Sequence, residues 1–106
     1  MARLRYPEDQ SPLRAELPVR NERFADVREA YLLDFEYNTA RAYWGDLEHL
    51  FDWCEHRGFD IFELTEDQFR QYQALLRRRK YSESTIRRRR TAWRGFQAAA
   101  ARPPDA

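Results

Sequence analysis

All 5 prolines of this 106-residue chain lie towards its ends, with Pro7, Pro12 and Pro18 on one side and Pro103 and Pro104 on the other. Proline removes a backbone donor and clashes with the preceding helical turn, so the stretch from Val19 to Arg102, which has none, is free to be helical throughout. Glycine occurs only 3 times and β-branched residues are few, which argues against strands. Hydrophobic residues make up 42% of the chain and aromatic ones 15%, enough for one modest core although 35% of residues are charged. The expected organisation is a flexible arm over 1–20, a folded domain over 21–100 and a short tail over 101–106.

Apolar spacing and capping signals divide the interior into four helices. The first, about 22–36, carries Phe24, Val27, Tyr31, Leu32 and Phe35 at spacings of three and four. The second takes Asn38 as its N-cap and runs to about Arg57, with Tyr43, Leu47, Leu50, Phe51 and Cys54 as its stripe. Gly58 suits the left-handed residue that ends it. The third opens with a capping box, Thr65-Glu66-Asp67-Gln68, and buries Phe69, Tyr72, Leu75 and Leu76. The fourth begins at Ser82 and continues through Ala100, with Ile86, Trp93, Phe96 and Ala100 facing inward. Amphipathic helices on short connections predict an all-α, compact four-helix bundle.

The formal net charge of +1 conceals a strong asymmetry. The balance is −2 over residues 1–37, −6 over 38–69 and +9 over 70–106. Arg77-Arg78-Arg79-Lys80 closes the third helix, where cations complement the helix dipole. Arg87 to Arg90 opens the fourth, where cations oppose the dipole and repel one another unless an anion neutralises them. The free amides of the same helix start, with Ser82, Ser84 and Thr85, suit phosphate oxygens. On a helical wheel Arg87 and Arg94 flank the apolar face, Arg88, Thr91 and Gly95 point outward, and Arg90 points inward. A row of Arg87, Arg88, Thr91 and Arg94 is what a groove-reading helix presents, and the plainer alternative is a solvated charged face.

Other chemistries find little support. The lone Cys54 excludes an intramolecular disulfide and fits a reducing, cytoplasmic compartment. The start of the chain does not resemble a signal peptide, and no apolar window approaches the ~20 residues of a membrane span. His49 and His56 lie about 10.5 Å apart along one helix axis, too far to share an ion, so they are expected as surface histidines with no metal. Asp46, Glu48, Asp52 and Glu55 are expected on a solvated face, with no nucleophile or phosphate loop beside them. Neither a cofactor nor a small-molecule substrate is expected. Tyr31, Tyr43, Tyr72 and Trp93 belong to apolar stripes, while Trp44 and Trp53 lie to the sides of the second helix.

The run Asn38-Thr39-Ala40-Arg41-Ala42-Tyr43, followed by Asp46-Leu47, Phe51 and Trp53-Cys54, resembles the second helix of the core-binding domain of tyrosine recombinases, the phage-integrase family. Leu64-Thr65-Glu66-Asp67 is similar to that family's next, Thr-led helix start. Ser82-Glu83-Ser84-Thr85-Ile86-Arg87-Arg88, with Ala92, Arg94 and Phe96, resembles its Ser-x-Ser-Thr-Ile helix. The resemblance spans about residues 22–100. It implies a SAM-like four-helix domain that clamps one face of duplex DNA, with its second and fourth helices approaching the major groove and flanking phosphates. The contacts it implies are Thr39 and Arg41 on one helix and Ser82, Thr85, Arg87, Arg88, Thr91 and Arg94 on the other. Arg78, Arg79 and Lys80 extend the basic surface from the end of the third helix.

The chain also departs from the family. Arg90 stands where an apolar residue is usual, so it must snorkel outward, pair with an acid or distort the seam. Gly45 and Gly95 fall inside helices, where they allow close approach of a helix or DNA or simply cost stability. The family's catalytic arginines, His-x-x-Arg box and nucleophilic tyrosine belong to a further domain; here His49 and His56 are followed three residues on by Asp52 and Phe59. The expectation is a cytoplasmic DNA-binding domain of DNA integration and recombination, truncated before the catalytic domain and not itself an enzyme. Its expected partners are double-stranded DNA and recombinase protomers, without a membrane. The alternative is a helical protein-interaction module that uses the acidic stretch 38–69 and the side-facing tryptophans.

Overall fold

The computed structural model describes residues 19–102. Four α-helices follow one another: α1 (Val19–Leu32), α2 (Tyr37–Arg57), α3 (Glu66–Arg78) and α4 (Glu83–Ala100), with a 3-10 turn at Ile61–Glu63 between α2 and α3. No strand occurs among the described residues, and the chain is an all-α bundle. Residues 19 and 20 of the expected arm belong to α1; the remainder of the arm and residues 103–106 of the tail lie outside the described residues.

The first two helices differ from expectation at their junction. α1 ends at Leu32, so Phe35 falls in the connecting turn rather than on a helical stripe. Asn38 lies inside α2, because Glu36 is the cap. The Glu36 carboxylate accepts the Asn38 amide at 3.0 Å and the Thr39 hydroxyl at 2.8 Å. A carboxylate in this position satisfies a free helix amide and also meets the positive end of the dipole. The capping box of α3 and the Ser82 cap of α4 form as their sequences predict.

Each helix contributes to the core through its apolar stripe. Phe24 of α1, Leu47, Leu50 and Cys54 of α2, Phe69, Tyr72 and Leu76 of α3, and Ile86, Trp93 and Phe96 of α4 are all buried. Two ring stacks tie the layers together, Phe69 on Trp93 and Phe24 on Phe51, each with centroids 4.2 Å apart. Burying one such side chain contributes about 1.5–3 kcal/mol, and a well-placed aromatic pair adds about 0.5–1.5. Tyr31, Tyr43 and Leu75 reach only half-burial. α4 packs mainly against α1 and α2 and less extensively against α3, so its flanking arginines emerge along seams between helices. Gly95, expected to point outward, instead faces the Tyr31 ring of α1.

α2 and α3 end in the same way with different residues. Gly58 closes α2 with φ 75°, and Phe59 N–H donates to the Cys54 carbonyl at 2.8 Å. Lys80 closes α3 with φ 68°; Tyr81 N–H reaches the Leu76 carbonyl at 3.1 Å and Lys80 N–H the Arg77 carbonyl at 3.0 Å. The left-handed conformation costs a residue with a Cβ about 1 kcal/mol, and glycine avoids that cost. Lys80→Gly is therefore expected to raise folding stability by about 1 kcal/mol, read as a higher urea midpoint at unchanged slope. An unmoved midpoint would mean that the lysine is not strained there.

Candidate nucleic-acid interface

The four consecutive arginines of α4 have four different fates. Arg87 is exposed and forms no ion pair among the described residues. Arg88 forks onto Asp46 of α2, with Nε donating to Oδ2 at 2.7 Å and Nη2 to Oδ1 at 2.8 Å. Arg89 turns inward, donating from Nε to Asp46 Oδ1 at 3.1 Å and from Nη1 to the Tyr72 hydroxyl at 3.1 Å. Arg90 pairs with Glu66 at the start of α3, both carboxylate oxygens lying 2.8 Å from Nη2. Pairing with an acid is thus how the seam accommodates Arg90, and its hydrogen bonding, then its charge, holds the Glu66 carboxyl below the usual carboxylate range.

Two expectations about α2 are corrected here. Asp46 is not on a solvated face; it is 2% exposed and receives three hydrogen bonds from α4. His49 is not a surface histidine; it is half-buried, with Nδ1 2.7 Å from the Tyr72 hydroxyl. The phenol already accepts from Arg89, so its own proton is free to donate to a neutral His49 ring. Burial first, then the charges of Arg89 and Arg79, lower the His49 pKa. Burial pushes the Tyr72 phenol up to about 12, so the proton of this bond stays in place at neutral pH. A chain of polar contacts therefore runs from Arg88 through Asp46, Arg89 and Tyr72 to His49.

Two surface grooves meet at His49. The first, of about 450 Å³, lies between α2 and α4 and is walled by Asn38, Arg41, Gly45, Asp46, His49 and Arg88. The second, of about 500 Å³, lies between α2 and α3, and Arg78 and Arg79 stand on its rim. Arg41 and Arg88, which the sequence predicts on two different helices, are thus brought to one groove. Arg41, Arg78, Arg79 and Lys80 are exposed and form no ion pair among the described residues. Arg94 is instead joined to Glu66, on the α3 side of α4.

The predicted hydroxyl contacts are largely engaged within the chain. The Thr39 hydroxyl donates to Glu36 at 2.8 Å, and that of Thr91 to the Arg87 carbonyl at 3.2 Å. Ser82 accepts the Thr85 amide at 3.1 Å while its hydroxyl donates to Thr85 Oγ1 at 3.0 Å, so the Thr85 hydroxyl keeps a proton to offer outward. The sequence missed Asp46, Tyr72 and His49 as members of the site, and their only local signal was the Asp46-Leu47 pair. Among the described residues no group of three or more His, Cys, Asp or Glu side chains could hold a metal ion. No described helix is long and apolar enough to cross a membrane.

Comparison with known families matches residues 31–103 to the family described as phage integrase, N-terminal SAM-like domain. The matched span takes in the end of α1 and all of α2, α3 and α4, including every residue of both grooves. No curated protein and no solved structure matches the chain.

Proposed function

Because this chain belongs to the phage-integrase N-terminal SAM-like family, we propose that it binds double-stranded DNA through α2, α4 and the α3–α4 turn. The observation that carries this proposal is the meeting of Arg41 and Arg88 in one groove, beside a second groove rimmed by Arg78 and Arg79. Arg87, Lys80 and Thr85 complete the surface. Lys and Arg neutralise phosphates and release condensed counterions, so affinity falls steeply with salt. A single domain making mainly phosphate contacts is expected to bind with Kd of about 10⁻⁴–10⁻⁶ M. DNA integration and recombination are the processes the family suggests, with recombinase protomers as further partners.

The test is anisotropy titration of a labelled duplex across a salt series. Arg87→Ala/Arg88→Ala removes two phosphate partners, so the log–log salt slope should become shallower by about 2. An unchanged slope, or no binding by the wild type at low salt, counts against the proposal. Leu33 and Tyr37, 77% and 74% exposed at the α1–α2 corner, favour a second proposal, a protein-docking surface there. That surface differs from the predicted acidic one, whose Asp46 and Glu66 are committed to arginines of α4. An oligomer that survives high salt, coupled with no DNA affinity, would favour it.

A further inference from the structure

We infer that the groove between α2 and α4 seats one phosphate group of the bound duplex, and that Asp46 is the positioning residue that fixes Arg88 to hold it. This deepens the DNA-binding proposal and rests on it. A guanidinium has five N–H donors in a rigid plane. Arg88 spends two of them, from Nε and Nη2, on the Asp46 carboxylate. The three that remain, two on Nη1 and one on Nη2, include the end-on pair of the fork, and the side chain is 43% exposed. Two parallel N–H groups match two oxygens of a phosphodiester, so the outer edge of Arg88 is chemically complete for an anion.

Asp46 makes that edge ready in advance. An arginine free on a surface loses rotamer freedom when it grips a ligand, whereas Arg88 is already held. The negative charge of Asp46 does not repel the ligand, because Arg88 and Arg89 both bind it and Arg41 stands on the same groove. The Asn38 side chain, on the same wall, supplies a neutral amide. Gly45 lies exposed on the groove wall, and a Cβ there would point into open space, with nothing within 4 Å. That glycine costs helix stability and no helix packs against it, so the space it leaves suits a ligand rather than a neighbour.

Three variants, titrated with labelled duplex DNA over a salt series, test the seat. Arg88→Lys keeps the charge and loses the fork, so Kd should rise about tenfold at an unchanged salt slope. Gly45→Ala should raise the melting temperature through helix propensity yet weaken DNA binding about tenfold, a pairing that a purely structural role does not produce. Asp46→Asn makes the protein more positive, which by its field alone would tighten binding. Loss of positioning should instead weaken it about tenfold in protein of unchanged helicity. Should Asp46→Asn fail to fold, the other two variants decide. Wild-type affinity in either Arg88→Lys or Gly45→Ala overturns the seat and leaves DNA binding standing. A wild type that does not bind duplex at low salt overturns both.

Discussion

Replacing Asp46 by alanine is expected to remove about 3–5 kcal/mol of folding stability, the cost of breaking a buried ion pair from one side. The carboxylate is 2% exposed and serves two arginines, which lie very differently towards water. Arg88 can rehydrate, because its side chain is 43% exposed. Arg89 cannot, at 11%, and its other bond goes to the buried Tyr72 hydroxyl. The cost therefore falls mainly on Arg89, whose charge would be left in the seam with the Tyr72 hydroxyl and the face of the Tyr81 ring but no counter-ion. A domain of this size has about 5–10 kcal/mol in total, so Asp46→Ala should unfold at a much lower urea midpoint or not fold at all. A loss under about 1 kcal/mol would place the pair with ordinary surface ion pairs.

A methyl group added at Gly95 is expected to destabilise the bundle, although alanine is the better helix former by about 1 kcal/mol. A Cβ there would overlap the Tyr31 ring. Tipping the ring aside would disturb its contacts with Phe35, edge-on at 5.3 Å, and with Tyr43, stacked at 6.1 Å. Overpacking of this kind costs about 1–3 kcal/mol, so Gly95→Ala should lose up to about 2 kcal/mol net. The decisive measurement is the same substitution in a Tyr31→Ala background, where the obstacle is gone. There Gly95→Ala should become stabilising, by about 1 kcal/mol. The same sign in both backgrounds would refute close packing between α1 and α4 at this point.

What the sequence made legible was whatever is decided within a few residues. The Thr65 capping box, the Gly58 cap and the stripes of Phe69, Tyr72, Ile86 and Trp93 are local, and they appear as their spacing predicts. Asp46 was misjudged because its burial is set by Arg88, 42 positions away, at a helix crossing that periodicity does not reveal. His49 was misjudged for the same reason, its partner Tyr72 standing on another helix. The wheel of α4 placed Gly95 outward because it assumed one apolar neighbour face. α4 touches three helices, and positions at the margins of its apolar face become seams. The exception was Glu36, where the expected cap Asn38 was displaced by a carboxylate two residues earlier that does the same task.

On the proposed DNA-binding role, the central place of α4 limits how its specificity can change over generations. A helix that reads DNA from the rim of a fold can vary most of its outer residues without disturbing what lies beneath. Here Ile86, Trp93 and Phe96 are core, Arg89 and Arg90 are bound into seams, and Gly95 carries the approach of α1. Ser84, Arg87, Thr91 and Ala98 remain as exposed positions outside every described ion pair. On that reading, selection for a new target sequence has those few positions to work with, and any other change on this helix must be tolerated first by the fold.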